Sequence, residues 1–210
     1  MKLLGLEITR PAHACIHVVS NGRHFYFDPY QISGNQKADY IFISHEHYDH
    51  CSIADIKKII KPETIIITVP DCQSKLSGLE VKEVKLVKPG DKLSFPTFDV
   101  AVVPAYNTNK TFHVKEHHWV GFIVKIEGRV LYHTGDTDAI PEMKSLQGID
   151  IMFVPVSGVF VMTPQEAAQL VNYLQPRVAV PIHYGNGVVG TKSDAEEFKS
   201  LVKISEVIIL

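Results

Sequence analysis

The chain has 210 residues, of which 45% are apolar and 21% charged, and its formal net charge is −2. This balance is typical of a globular protein with a sizeable core, and it excludes the strongly basic character of many nucleic-acid-binding proteins. The apolar start of the chain is interrupted at Glu7, so we expect neither a signal peptide nor a membrane span. Three widely spaced cysteines do not form a disulfide framework, which favours a cytoplasmic location. With no linker-like segment, we predict one domain over residues 1–210.

The first half of the chain alternates short apolar runs with turn signals, a pattern typical of β-strands. Asn21-Gly22 separates two of these runs and predicts a tight hairpin. The segment Ile53–Ile60 predicts a helix that ends before Pro62. A further strand is expected after Pro89-Gly90-Asp91. The other strands predicted in this half are Leu3–Ile8, Cys15–Ser20, His24–Asp28, Tyr40–Ser44, Ile65–Val69 and Val81–Val87.

Four side chains that can bind a metal stand in six residues, in the run His45-Glu46-His47-Tyr48-Asp49-His50. The run directly follows the predicted strand Tyr40–Ser44, and we therefore expect a loop at the carboxyl end of a buried strand. A tight loop can turn the first two histidines toward one ion, and the aspartate and the last histidine toward a neighbouring ion. Imidazole and carboxylate together suit zinc and related divalent ions. A histidine-rich surface loop is the alternative, and the density of ligands argues against it.

The second half repeats the theme of strands grouped by hairpins with helices between them. Thr163 is a good N-cap, Pro164 suits the first helical position and Glu166 completes a capping box, so a helix is predicted to begin here. Asp194–Val202 predicts another helix. Together the two halves predict two mixed sheets covered by helices. The strands predicted in this half are Phe98–Pro104, Trp119–Ile126, Arg129–His133, Ile149–Pro155, Val178–Ile182 and Val207–Leu210.

Two of these strands also run directly into metal-capable residues. The strand that ends at His133 is followed by Thr134-Gly135-Asp136-Thr137-Asp138, and Val178–Ile182 is followed by His183-Tyr184-Gly185. Three strand ends that carry ligands at widely separated positions favour one convergent site over three coincidences.

These residues carry a resemblance to a known family. The HxHxDH run His45–His50, the GDTD sequence Gly135–Asp138 and the PIHYG sequence Pro181–Gly185 resemble the metallo-β-lactamase-fold hydrolase superfamily in order and spacing, over nearly the whole chain. The resemblance implies an α/β fold, a four-layer αβ/βα sandwich of two mixed β-sheets with helices on the outer faces. Within the superfamily, the sequences of these motifs are most similar to those of a compact branch that includes sugar-phosphate lactonases and lipid phosphodiesterases.

The family pattern also implies a set of metal ligands. His45 and His47 match ligands of a first ion, Asp49, His50 and His183 match ligands of a second ion, and Asp136 matches the carboxylate that bridges both. The first ion needs one more histidine between the HxHxDH loop and Asp136. Spacing favours His113, while His117, His118 and the side-chain oxygen of Asn107 remain open.

Other residues near the motifs have two possible roles each. A histidine can orient a ligand through a hydrogen bond or simply be satisfied in a partly buried place. A tyrosine beside a ligand can donate to a developing oxyanion or serve as packing. Asp138 is interpreted as a helix N-cap and Cys51 as a small buried residue. The candidates of the first two kinds are His13, His133, Tyr106 and Tyr184.

The implied activity is metal-dependent hydrolysis of an ester-type bond in a small molecule, either a lactone or a phosphodiester. A hydroxide that bridges two ions would be the nucleophile, with Asp136 holding its geometry and Asp49 accepting a proton. Zinc is the first choice of metal, with manganese, iron or nickel as alternatives. We expect no nucleic-acid partner and leave a homo-oligomer open. A second hypothesis is a non-catalytic metal-binding sensor or scaffold module.

Overall fold

Fourteen strands form two seven-stranded mixed sheets, one in each of two units of the chain. The structure, a computed structural model, describes residues 1–210, and the two units are Met1–Val87 (unit 1) and Lys88–Leu210 (unit 2). The fold class predicted from the sequence, an α/β fold with two mixed sheets and helices, is confirmed. The single domain over residues 1–210 stays a prediction. No helix combines the length and the apolar character that crossing a membrane requires.

The sheet of unit 1 has the strand order β1-β2-β3-β4-β5-β6-β7. Strands β1 to β4 are antiparallel neighbours, whereas β4 to β7 run parallel to one another. Helix α1 begins at the N-cap Ser52, whose side chain accepts a hydrogen bond from the Asp55 backbone N–H, and it buries Ile56 and Ile59. The elements are β1 Lys2–Leu3, β2 Leu6–Thr9, β3 Ile16–Ser20, β4 Arg23–Phe27, β5 Tyr40–Ile43, α1 Ile53–Ile59, β6 Ile65–Thr68, α2 Gln73–Leu76 and β7 Glu83–Leu86, with a 3₁₀ turn at Pro70–Cys72.

The sheet of unit 2 has the order β14-β13-β12-β11-β10-β9-β8. Strands β8 to β11 are antiparallel, and β11 to β14 are parallel. Its elements are β8 Lys92–Phe95, β9 Phe98–Pro104, β10 Val120–Ile126, β11 Arg129–His133, β12 Ile151–Pro155, α3 Pro164–Leu174, β13 Val178–Ile182, α4 Lys192–Leu201 and β14 Glu206–Val207, with 3₁₀ turns at Lys115–His117 and Pro141–Ser145.

Helix α3 shows how the sequence builds the core of unit 2. The predicted capping box is present, because Thr163 and Glu166 exchange side-chain and backbone hydrogen bonds and Pro164 occupies the first turn. The apolar face of the helix, including Ala167 and Val171, is fully buried in one core cluster with side chains of the sheet and of α4. The amphipathic helix thus covers the parallel part of the sheet with its apolar face.

The two units share one plan. In each, a four-strand antiparallel meander leads into three further strands that run parallel, and every strand of one unit has a counterpart seven strands along in the other. The loop between β2 and β3 therefore corresponds to the loop between β9 and β10. The similarity of the two halves predicted from the pattern of elements is confirmed at the level of sheet topology.

Some local predictions were wrong. The single strand predicted over Leu3–Ile8 is a two-strand hairpin, because Leu4 and Gly5 adopt positive φ angles of 49° and 98° and turn the chain. Asp138 does not cap a helix. Its carboxylate instead accepts hydrogen bonds from the backbone N–H of Thr108 at 2.7 Å and from Lys110. The last strand, Glu206–Val207, ends earlier than predicted, and helix α4 begins at Lys192.

Candidate functional site

The ligand-rich run of unit 1 lies in the tight loop after β5, as predicted. The backbone N–H groups of His50 and Cys51 both hydrogen-bond to the carbonyl oxygen of His47, at 3.0 and 2.7 Å, which closes the loop into a turn. Glu46 pairs with Lys75 at 3.0 Å on the outside of this turn. We call the group His13, His45, His47, Asp49 and His50 the unit 1 cluster.

A carboxylate behind the unit 1 cluster fixes two of its histidines. Asp28, buried at the end of β4, accepts hydrogen bonds from the Ser44 hydroxyl at 2.7 Å and from Nδ1 of His50 at 2.8 Å. The Ser44 oxygen in turn accepts from Nδ1 of His45 at 2.9 Å. Because both Nδ1 atoms carry the proton, the Nε2 atom of each ring keeps a lone pair available to a metal ion.

The ligand atoms of the unit 1 cluster lie close together. Nε2 of His45 is 3.0 Å from Nδ1 of His47. The Oδ2 atom of Asp49 is 3.6 Å from Nε2 of His50 and 3.4 Å from Nε2 of His13. Except for the partly exposed His47, all of these side chains are buried.

In unit 2, two histidines converge on one carboxylate. Asp136, in the loop after β11, has its Oδ2 atom 3.3 Å from Nε2 of His113 and 3.0 Å from Nε2 of His183. His113 comes from the loop between β9 and β10, and His183 directly follows β13. We call these three buried residues the unit 2 cluster.

Hydrogen bonds behind the unit 2 cluster orient both histidines. Nδ1 of His113 donates to the carbonyl oxygen of Phe160 at 3.1 Å, and Nδ1 of His183 is hydrogen-bonded to the Ser157 hydroxyl at 2.8 Å. The Asn107 carboxamide donates to the carbonyl oxygens of Phe160 and Phe112, at 2.6 and 2.9 Å. Asn107 thereby ties the His113 loop to the loop after β12.

Close backbone packing supports the same loops. A Cβ atom at Gly121 in β10 would lie 2.6 Å from the carbonyl oxygen of Thr134, where the Asp136 loop begins. A Cβ atom at Gly190 would lie 2.6 Å from Cβ of Ser157. Since real Cβ atoms do not approach other heavy atoms this closely, both positions require glycine.

The two clusters fit divalent metal ions. Ligand atoms about 2.0–2.2 Å from a tetrahedral zinc ion lie about 3.3–3.5 Å from one another. The separations, from 3.0 to 3.6 Å in the unit 1 cluster and from 3.0 to 3.3 Å in the unit 2 cluster, are close to this value. Burial of a carboxylate is costly unless it is paired or binds a metal, and both Asp49 and Asp136 are more than nine-tenths buried. The donor set of imidazole and carboxylate matches zinc, manganese, iron or nickel.

The geometry favours His113 as the third histidine ligand of the first ion. His117 and His118 lie exposed in and after a 3₁₀ turn, and the ring of His117 packs against Trp119 at 4.5 Å. His133 accepts a long 3.3 Å hydrogen bond from the backbone N–H of Gly135, a local role in the turn before Asp136.

Three further residues adjoin the candidate ligands in the sequence. The Tyr106 hydroxyl donates to Glu142 at 2.8 Å, and Tyr184 is buried. Cys51 is buried as predicted, and a hydrogen bond from Cys72 lowers the pKa of its thiol below the ordinary value despite that burial.

Sequence reasoning undervalued several supporting residues. The sequence predicts no more than a possible supporting role for His13, because a lone histidine outside any motif carries little signal. Asp28 ends the predicted strand that directly precedes the ligand-bearing strand Tyr40–Ser44 in chain order, and that placement could have marked it. Ser157 and the Phe160 carbonyl stand in a segment without charged or metal-capable side chains, so nothing in the sequence identifies them.

Comparisons with known proteins point to one family. The family model for the β-lactamase superfamily domain matches residues 7–183, a stretch that includes both clusters. The UPF0173 metal-dependent hydrolase of Staphylococcus epidermidis is 31% identical, with 98% of this chain and 96% of that protein covered. A crystal structure from Parabacteroides distasonis, described as that of a proposed metal-dependent hydrolase, has a TM-score of 0.84 at 33% identity, covering 97% of this chain and 92% of that one.

A structure from Thermotoga maritima, assigned to the metallo-β-lactamase superfamily, has a TM-score of 0.66 at 20% identity, with 97% of both chains covered, and so shows the shared fold. The predicted resemblance is therefore confirmed. From its family model and its relatives, the chain belongs to the β-lactamase superfamily, among the relatives of the UPF0173 metal-dependent hydrolases.

Proposed function

We propose that the protein is a dinuclear metal-dependent hydrolase that cleaves an ester-type bond, a lactone or a phosphodiester, in a small molecule. The observation that carries the proposal is the pair of buried clusters, in which imidazole and carboxylate atoms stand 3.0–3.6 Å apart with the opposite ring nitrogens held by hydrogen bonds. The names of the curated relatives support the hydrolytic class.

The ligand assignment follows the family resemblance. His45, His47 and His113 bind the first ion, Asp49, His50 and His183 bind the second, and Asp136 bridges both. Zinc is the first choice for both ions, and manganese, iron and nickel are the alternatives. The family model, whose match over residues 7–183 includes most of each unit, supports one functional domain over residues 1–210. The three cysteines are buried free thiols, which supports a cytoplasmic location.

The residues of the chain supply orientation and proton handling. When bound, divalent ions lower the pKa of coordinated water toward ~7 and polarise the oxygen of the bond to be cleaved. Asp28 and Ser44 keep the His45 and His50 rings in the tautomer that ligates. Asp136 presents a single carboxylate oxygen to two histidines, and Asp49 accepts a proton during the reaction.

The loops of unit 2 offer an apolar surface for the organic part of a small substrate. Phe112, which is half exposed, precedes His113 and packs edge-on against Phe160 at a ring distance of 4.8 Å. Val159 in the neighbouring loop is 56% exposed. Exposed apolar side chains beside ligands are typical of pockets that bind organic molecules.

The test is the metal content of protein prepared without chelator, measured together with turnover of a generic phosphodiester and of a simple lactone. We expect about two ions per chain, with activity that is lost on chelation and restored by zinc or manganese. His45→Ala should lose metal and activity, whereas His117→Ala, at an exposed histidine of unit 2, should keep both. Full metal content and activity in His45→Ala would refute the proposal. Two bound ions without turnover of either substrate would instead favour the non-catalytic metal-binding module.

A further inference from the structure

The shared plan of the two units pairs His13 with His113. His13 lies in the loop between β2 and β3, and His113 lies in the loop between β9 and β10, which is the corresponding loop of the second unit. In both units this loop joins the second and third strands of the antiparallel meander. It lies at the same end of the sheet as the loops that carry the other metal-capable residues of that unit.

The two histidines also share their local structure. His13 has a φ of 45° and His113 a φ of 56°, both in the left-handed region that non-glycine residues rarely adopt. His13 is fully buried and His113 is 3% exposed. Hydrogen bonds hold both backbones, from Arg10 Nη1 to the His13 carbonyl oxygen at 3.1 Å and from the Asn107 N–H to the His113 carbonyl oxygen at 2.7 Å. Backbone strain of this kind clusters at functional sites.

Each of the two histidines points Nε2 at the carboxylate of its own cluster. The distance is 3.4 Å from His13 to Oδ2 of Asp49 and 3.3 Å from His113 to Oδ2 of Asp136. A charge-assisted hydrogen bond would bring these atoms to about 2.7–2.9 Å, as it does between His50 and Asp28 at 2.8 Å. Two neighbouring ligands of one ion lie about 3.0–3.5 Å apart, the shorter value in six-coordinate and the longer in tetrahedral geometry. The separation therefore matches shared coordination better than a direct hydrogen bond.

From this correspondence we propose that Nε2 of His13 is a further ligand of the ion that Asp49 and His50 bind. One ligand atom each of His13, Asp49 and His50 lies within 4.8 Å of the others, so unit 1 by itself offers three donors to one ion. The inference rests on the proposed function, since it adds a ligand to the second ion of that site.

The added ligand changes which metals suit the second ion. With His13 the proposed protein donors of this ion become five, namely His13, Asp49, His50, Asp136 and His183. Catalytic zinc sites usually have three protein ligands and an open position, whereas manganese, iron, cobalt and nickel accept six ligands. With His13 bound, the second ion would have five protein donors and one water, so manganese, iron, cobalt or nickel replaces zinc as the first choice for this ion, while zinc stays the first choice for the first ion.

The test uses the cobalt-loaded protein and counts its ligating histidines directly. Each histidine bound to Co²⁺ gives a strongly shifted ring N–H proton signal in the NMR spectrum, and this count does not depend on activity. In His13→Asn one such signal should disappear. Asparagine tolerates the left-handed backbone better than most residues, and its shorter side chain cannot reach the ion. The dissociation constant of Mn²⁺ at the site of the second ion should rise by at least about tenfold.

The matched control is His17→Asn. His17 is a buried histidine of β3 whose Nε2 lies 2.9 Å from Nδ1 of His24, and it should leave every shifted signal in place. Thermal unfolding of the metal-free proteins should show that His13→Asn retains its fold. A full set of shifted signals and unchanged ion affinity in a folded His13→Asn protein would overturn the assignment alone. A wild-type protein that binds no ion would overturn both the proposed function and this assignment.

Discussion

Units 1 and 2 have the same strand order but hold their metal-capable residues by different means. Four of the five metal-capable residues of the unit 1 cluster lie on one loop, after β5, and the buried carboxylate of Asp28 supports this loop. Unit 2 takes its three from three separate loops and supports them with close backbone packing at Gly121 and Gly190. One sheet plan thus permits two ways of presenting ligands, one based on buried charge and the other on loop packing.

The difference predicts which substitutions each unit tolerates. In unit 1, the removal of a carboxylate should misorient ligands although the chain remains well packed. In unit 2, an added methyl group should have the same effect although no charge is lost. Substitutions that reversed this pattern would break the comparison.

The largest effect is expected for Asp136→Asn in unit 2. Oδ2 of Asp136 faces both His113 and His183, so the variant loses a proposed bridging ligand and the partner of two histidines. We expect more than about a 100-fold loss of hydrolytic activity, beyond the roughly 10–100-fold that the loss of a partner behind a ligand costs, and fewer bound ions by elemental analysis. Asp138→Asn, which removes a carboxylate of the same loop bound to Thr108 and Lys110, is the control and should lose far less. Equal losses in the two variants would contradict the assignment.

A smaller loss is expected for Asp28→Asn in unit 1. Both carboxylate oxygens accept hydrogen bonds, Oδ1 from the Ser44 N–H and Oδ2 from the Ser44 hydroxyl and His50 Nδ1. An amide places an NH₂ donor at one of these two positions, so the two ring tautomers lose part of their support. Metal affinity should fall by roughly 10–100-fold, as measured by competition with a chelator. Asp39→Asn removes another carboxylate of unit 1, which lies just before β5 and pairs with Lys61 at 2.6 Å, and it should leave metal affinity unchanged. If Asp28→Asn bound metal like the wild type, the idea of support by charge would fail.

Gly121→Ala tests the packing argument in unit 2. The new Cβ atom would meet the backbone oxygen of Thr134 at 2.6 Å, and a backbone atom cannot move aside as a side chain can. We expect a loss of about 3 kcal/mol in the free energy of unfolding, the upper end for overpacking, measured by urea denaturation. Gly34→Ala, with no atom within 4 Å of its Cβ and an ordinary φ, is the matched control and should change little. An unperturbed Gly121→Ala protein would show that the Asp136 loop does not depend on this contact.

The sequence was most informative where local pattern and structure coincide. The strand Tyr40–Ser44, the capping box at Thr163 and the run His45–His50 are contiguous, so a short stretch of sequence carries the whole signal. Asp136 and His183 could be predicted because each follows a buried strand. The turn at Leu4 and Gly5 escaped prediction because apolar residues flank it on both sides, and alternation alone cannot distinguish one strand from two short ones.

The supporting residues of the site could not be predicted, because their roles depend on sheet order. His13 gains meaning only once the loop between β2 and β3 is seen to correspond to that between β9 and β10. Spacing favoured His113 over His117 and His118, but the separation of these residues from Asp136 depends on the conformation of a loop. The Phe160 carbonyl belongs to the backbone, and no sequence pattern marks a carbonyl oxygen as a hydrogen-bond acceptor for a histidine.

The smallest expected effect concerns Asp55, a second carboxylate whose charge stabilises unit 1. Asp55 in α1 is buried, which alone would raise its pKa, but hydrogen bonds from Lys58, Ser52 and the N–H groups of Ile32 and Gln31 hold the pKa below its ordinary value of 3.8. Because the folded-state pKa is lowered, its stabilising contribution is complete above about pH 4 and is lost as the pH falls through the folded-state value.

Asp55→Asn should therefore lower the free energy of unfolding by roughly 1–2 kcal/mol at pH 7, and the deficit should shrink below pH 4, as measured by urea denaturation across that range. The exposed Asp99→Asn variant is the control and should follow the wild type at every pH. A deficit that stayed constant with pH would mean that Asp55 acts in unit 1 through its shape and not its charge. The contrast between the two units would then rest on Asp28 alone.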